Sequence, residues 1–183
     1  MKKISTLYKK NPENLALVFN EINPENEWVL NGEGIATRKF DGSACAIIGG
    51  YLFKRYDVKK GKSAPSGAIP CQGPDEITGH WPHWVLCDNN KPEDKYFFEG
   101  LANVPGVPDG TYELCGPKVQ GNPEGLEKHY LIQHGCNHLK ISDLSFDGLR
   151  EYLSKHDIEG IVFHHPDGRM CKIRKSDFGI KRI

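Results

Sequence analysis

Charge of one sign is not in excess in this chain: lysine plus arginine and aspartate plus glutamate stand at 24 each in 183 residues. Net charge therefore gives no argument for a polyanionic partner, and only local patterning can supply one. Long apolar runs are also missing. Nothing approaches the 18 residues of a membrane-spanning helix, and the opening Met1-Lys2-Lys3-Ile4-Ser5 is not followed by the apolar stretch of a signal peptide. These absences predict a soluble, cytoplasmic protein without a membrane partner. C-x-x-C pairs are lacking too. The six cysteines, Cys45, Cys71, Cys87, Cys115, Cys136 and Cys171, are scattered, and a chain of this length does not need staples to hold its core. Free thiols are expected. Cys71, His80, His83 and Cys87 invite a zinc reading, but structural zinc sites show tighter paired spacing. The alternative is that Gly79-His80-Trp81-Pro82-His83-Trp84 forms a rigid aromatic wall.

Length points to one domain over residues 1–183, since the chain can bury one substantial core or two very small ones. Alternation of apolar and polar positions predicts strands over 27–30, 34–40, 44–48, 51–58, 111–115, 158–164 and 170–174. Gly49-Gly50 is a two-residue hairpin signal, and Pro166-Asp167-Gly168 gives a slightly longer turn between the last two runs. Helical periodicity is clearest over 146–156, with Asp143 or Ser145 available as cap, and a shorter helix is predicted over 14–21. Gly, Pro and polar residues mark 59–90 and 91–110 as long surface loops. The fold class is α+β: mixed, largely antiparallel sheets with a few flanking helices.

Chemistry concentrates in one ordered set: Lys39-Phe40-Asp41-Gly42, Glu113, Glu159-Gly160 and Lys172-Ile173-Arg174. A K-x-D-G tetrapeptide alone says little; the order of its companions gives it weight. Lysine attacks phosphorus only as the free amine, and its reference pKa of about 10.4 leaves little of that form at pH 7. Lowering it by roughly three units takes about 4 kcal/mol, from desolvation and positive charge on Arg38, Lys172, Arg174 or a divalent cation. On a strand Asp41 returns to the side of Lys39, and Gly42 allows the turn that follows. Asp41, Glu113 and Glu159 as convergent acids suit magnesium, possessing the oxygen donors that ion prefers, with manganese as a substitute. Lys172 and Arg174, two apart, share a face and can hold an α-phosphate as pyrophosphate leaves. Each residue has a plainer reading as a solvated surface group. Independent surface residues, however, have no reason to appear as nucleophile, acid, acid and paired cations in that order.

The set resembles the covalent nucleotidyltransferase superfamily of polynucleotide ligases and messenger-RNA capping enzymes, with motif I at Lys39-Phe40-Asp41-Gly42, motif III around Glu113, motif IV at Glu159-Gly160 and motif V at Lys172-Ile173-Arg174. More narrowly, Thr78-Gly79-His80-Trp81-Pro82, Asp109-Gly110-Thr111-Tyr112-Glu113-Leu114 with Gly121-Asn122-Pro123, and Glu159-Gly160-Ile161-Val162-Phe163-His164 resemble a small family of ATP-dependent RNA ligases that has a human member. The resemblance implies the ATP-grasp-like nucleotidyltransferase domain of ligases. It also implies a three-step reaction: Lys39 attacks ATP to form lysyl-AMP, AMP passes to an RNA 5′-phosphate, and a 3′-hydroxyl displaces AMP. By motif position Arg55 contacts ribose or the 5′ end, Glu113 the ribose or a metal-bound water, and Glu159 the metal. Ile161 or Tyr130 would cover the adenine ring.

Other residues carry weaker expectations. His129, His134 and His138 form a cluster that can touch phosphate or serve structure. Lys59, Lys60 and Lys62 form a basic run suited to RNA backbone contacts or simply to solvent. The short stretch after motif V leaves no room for an oligonucleotide-binding barrel, which suits a compact monomeric RNA ligase and leaves RNA to be held by this surface or an accessory RNA-binding partner. A minimal DNA ligase, a guanylyltransferase-like enzyme and a non-catalytic nucleic-acid-binding domain of the same fold are the competing readings.

Overall fold

The computed structural model describes residues 3–76 and 78–182. In chain order the strands are β1 (Ser5–Thr6), β2 (Tyr8–Asn11), β3 (Asn14–Ile22), β4 (Ile35–Lys39), β5 (Ser43–Ile48), β6 (Tyr51–Val58), β7 (Ile69–Pro70), β8 (Trp81–Leu86), β9 (Gly110–Cys115), β10 (Tyr130–Gln133), β11 (Gly160–His164) and β12 (Met170–Arg174). The α-helices are α1 (Lys95–Ala102) and α2 (Phe146–Lys155). Strands dominate, and every pairing is antiparallel except the short β1–β12 contact. This is the mixed α+β class that the apolar alternation implies. None of the described helices is long and apolar enough to cross a membrane.

The chain folds as two compact units. Of the described residues, one unit contains Lys3 with 41–76 and 78–134, the other 4–40 and 135–182. The first is built on a six-stranded sheet of order β10-β9-β5-β6-β8-β7. Gly49 and Gly50, at φ 58° and 78°, make the tight β5–β6 turn. Both of their amides donate to the Asp109 carboxylate, at 2.6 and 3.0 Å. One sheet face is buried by α1, whose Tyr96, Phe97, Phe98 and Leu101 pack on Cys45, Ile47, Leu52, Tyr112, Leu114 and Leu131. Gly100 lets the helix lie close: a Cβ there would stand 2.8 Å from Leu114 Cδ1.

The second unit holds a sheet of order β1-β12-β11-β4 and the β2–β3 hairpin. Its core joins Ile161, Phe163, Cys171 and Ile173 to Leu149 and Leu153 of α2, with Leu7, Trp28 and Val29. Ser145 caps α2 by accepting from the Gly148 amide at 3.1 Å.

Two expected elements change type. Residues 27–29 belong to a 3₁₀ helix over Pro24–Val29 and Leu30 caps its end; Pro24 presets the first helical φ, and Trp28 and Val29 turn into the core. Residues 14–21 form strand β3, because pairing with β2 secures a stretch whose Val18 and Phe19 favour extended backbone. The expected loops at 59–90 and 91–110 contain β8 and α1, which Gly and Pro in their surroundings had hidden.

Candidate functional site

In the second unit three strands carry the basic residues in register. Lys39 lies opposite Gly160, and Gly160 opposite Arg174; one row along, Thr37 lies opposite Val162, and Val162 opposite Lys172. Directly paired residues share a sheet face, so Lys39, Lys172 and Arg174 are on one side. Gly160 is the gap between two cations whose backbones are about 10 Å apart, two strand spacings. A Cβ at Gly160 would stand 2.4 Å from the Ile173 carbonyl oxygen, so the position accepts no larger residue without backbone displacement. Lys39 Nζ forms an ion pair with Glu159 Oε2, both side chains largely sheltered from solvent.

Burial, then repulsion from the Arg174 and Lys39 cations, pushes the Lys172 ammonium down to about 8; Asp177 and Glu159 oppose this. Arg174 is committed elsewhere. Its Nη2 donates to Asp177 Oδ1 at 2.9 Å and its backbone amide to Oδ2 at 2.8 Å. Asp177 is 0% exposed and also receives Lys10 Nζ at 2.6 Å. Burial alone would raise this carboxyl, but the Arg174 and Lys10 hydrogen bonds prevail and hold it below its ordinary value. Asp177 is a member of the site's support that the motif pattern does not reveal.

Two expectations are corrected by strand alternation. Ile161 is 0% exposed inside the α2 core, paired with Arg38 and Ile173 on the face opposite Lys39, so it cannot lie against an adenine ring. Arg38 lies opposite Ile161 in the strand register, on the face away from Lys39, and its guanidinium stacks over the Phe40 ring at 4.8 Å.

In the first unit Glu113 lies on β9, opposite Ala44 of β5 and Ile132 of β10. Arg55 lies opposite Trp84. Continuing the Cys45–Lys54 register by one residue brings Ala44 beside Arg55, so Glu113, Ala44, Arg55 and Trp84 form a row across four strands with a small residue between the two charges. The Arg55 Nε donates to Asp57 at 3.0 Å. Glu113 is 9% exposed, and its Oε2 meets His134 Nε2 at 2.8 Å, while His134 Nδ1 meets Thr111 Oγ1 at 3.0 Å. Asp41 donates its backbone N–H to Glu124 at 2.9 Å. Gly42 packs so tightly that a Cβ would stand 2.2 Å from the Leu114 carbonyl oxygen, which explains the glycine of the tetrapeptide better than turn freedom does.

The remaining residues separate. His129 is buried, paired with Glu99 at 2.9 Å and stacked on Tyr96, hence structural. His138 bridges to Thr37 in the second unit. Lys59, Lys60 and Lys62 are exposed around a turn. The zinc candidates disperse: Cys71 packs near Phe53 and Trp84, Cys87 joins the α1 core, and His83 meets the Trp81 carbonyl at 2.9 Å. Among the described residues no group of three His, Cys, Asp or Glu side chains is set to hold a metal directly.

No family model matches the chain. A protein named RNA ligase 1 from Pongo abelii is 33% identical over 164 residues, covering 65% of this chain and 49% of that protein. RNA ligase 1 of Rattus norvegicus is 31% identical over 144 residues, covering 58% of this chain and 43% of its own. The Danio rerio protein of that name is 28% identical over 141 residues, with 59% and 43% covered. The chain thus spans about half the length, or somewhat less, of the curated relatives it matches. At 28–33% identity over 58–65% of its length, the chain is similar to proteins of one name, RNA ligase 1.

Proposed function

We propose that this chain is an ATP-dependent RNA ligase that joins 5′-phosphate and 3′-hydroxyl RNA ends through lysyl-AMP on Lys39, its residues 1–183 serving as the nucleotidyltransferase domain. The reading is carried by one observation: Lys39 stands at the end of β4 in contact with Glu159, on the face that also presents Lys172 and Arg174, with Gly160 of β11 between Lys39 and Arg174. The names of the relatives support RNA as the substrate.

Lys39 Nζ, once it has given up its ammonium proton, attacks the α-phosphorus of ATP; a P–N bond forms as the bond from the α-phosphorus to the bridging oxygen breaks, pyrophosphate departs, and the nitrogen sheds a further proton to solvent. Glu159, touching Nζ, orients the amine before attack. Lys172 takes the α-phosphate oxygens, with Arg174 held beside it by Asp177. An RNA 5′-phosphate oxygen then displaces the lysine, and the 3′-hydroxyl oxygen displaces AMP, losing its proton to solvent. By motif position Glu113 accepts from a ribose hydroxyl, and Arg55 meets the ribose or the RNA 5′ end. Asp41 and Glu113 in the first unit, and Glu159 in the second, are each hard oxygen donors of the kind that would hold magnesium, or manganese, largely through water. When bound, that ion would neutralise charge on the phosphate oxygens.

The test is incubation with α-labelled ATP or GTP followed by denaturing electrophoresis, then sealing assays on 5′-phosphorylated RNA and DNA. Label from ATP that stays on the protein, its loss in Lys39→Ala, and sealing of RNA over DNA are expected. Label from GTP alone would move the assignment to a guanylyltransferase, and labelling that survives in Lys39→Ala would remove Lys39 as nucleophile.

A further inference from the structure

Glu113 is tied to an imidazole that no step above uses. His134 follows β10, its backbone amide donating to the Thr111 carbonyl at 3.0 Å, which fixes where the ring stands. An ionised carboxylate only accepts hydrogen bonds, so the 2.8 Å contact from His134 Nε2 to Glu113 Oε2 requires the proton on Nε2. In the neutral ring Nδ1 is then an acceptor, and Thr111 Oγ1, 3.0 Å away, supplies the hydroxyl donor. Thr111 and Glu113 are two residues apart on β9 and share a face, so one strand carries both ends of this chain of hydrogen bonds. Oε2 is thereby occupied, and the described residues make no other hydrogen bond to the Glu113 carboxylate.

We propose that His134, oriented by Thr111, is a positioning residue that fixes the Glu113 carboxylate so that Oε1 accepts a hydrogen bond from a ribose hydroxyl of the bound nucleotide. The proposal rests on the ligase reading given above. Without the imidazole, a short and largely buried carboxylate keeps its charge but loses its orientation, and a loose acceptor contributes much less to a directional contact. Selection of ribose over deoxyribose at the nucleotide is therefore the property that His134 controls.

The measurement is the rate of protein labelling, as kcat/KM, with ATP and with 2′-deoxy-ATP. The full chain is compared with His134→Phe, which keeps an aromatic ring and loses both contacts, and with His134→Gln, whose amide returns an N–H donor near the position of Nε2. Thr111→Val removes the hydroxyl alone and is a second route if His134→Phe does not fold. Labelling with ATP is expected to fall about tenfold in His134→Phe, as for a lost hydrogen bond to a charged group. Labelling with 2′-deoxy-ATP should fall much less, His134→Gln should recover most of the preference, and Thr111→Val should shift it in the same direction by less. Equal losses with both nucleotides, or an unchanged preference in both His134→Phe and Thr111→Val, would overturn the role of His134 while leaving the ligase reading intact. No label on the unaltered chain would instead remove the ligase reading, and this proposal with it.

Discussion

At Lys172 a half-buried ammonium faces two other cations, and its charge opposes folding. Its folded-state pKa of about 8 lies below the ordinary 10.5, so between those values the unfolded chain holds a proton that the folded chain has released. Stability attributable to this group therefore rises as pH climbs from 8 to 10.5, and below 8 the charged folded form carries the full penalty. Lys172→Met is expected to be more stable than the parent at pH 7 by about 2 kcal/mol, with the gap closing by pH 10.5, in urea unfolding at the two pH values. The same variant should lose labelling from ATP, since a thioether cannot hold phosphate. Much of this residue-scale arrangement is legible in the sequence. Spacings of two, as in Lys172 and Arg174, translate directly into a shared strand face, and Lys39 with Glu159 emerges from motif order. The resemblance alone does not place Ile161: β11 begins at Gly160, opposite Lys39, so Ile161 falls on the other face, in the core. Asp177 and the tie between His134 and Glu113 depend on tertiary approach, which no local pattern records.

Elements here are fitted to one another through glycines as much as through side chains. At Gly160 the obstruction is the Ile173 carbonyl oxygen of the neighbouring strand, and backbone yields only by distorting the sheet. Gly160→Ala is accordingly expected to destabilise the protein by about 2–3 kcal/mol, the range for overpacking, and to lower the melting temperature by roughly 4–12 °C. Calorimetry checks the shift, and labelling from ATP should drop with it because Lys39 and Arg174 flank the distorted point. Strong strands such as β5, β6, β9 and β12 could be read from alternation within a residue or two. β8 was obscured by Pro82 and neighbouring glycine, yet it pairs along its whole length with β6, which makes it a strand through its partner. α1 is short and lies between prolines, and its Tyr96, Phe97, Phe98 and Leu101 become a helix face only because a sheet is there to receive them.

The whole molecule has no net charge to attract nucleic acid, so RNA affinity must come from local groups. Replacing Lys59, Lys60 and Lys62 together by alanine is expected to leave labelling from ATP unchanged and to reduce RNA sealing several-fold, with a shallower salt dependence of RNA binding in filter assays. A second property follows from where the sulfur atoms lie. Cys45, Cys87, Cys115 and Cys171 are buried, and desolvation pushes the Cys87 and Cys171 thiols up to about 12, whereas Cys136 is exposed. Cys71 is half-buried, so titration with an aromatic disulfide under native conditions should release the Cys136 equivalent first, Cys71 more slowly, and the four buried thiols only after denaturant is added. With Cys71 replaced by serine, Cys136 then offers a single attachment point for a fluorophore, so that encounters with nucleotide or RNA can be followed optically while the buried native thiols stay in place.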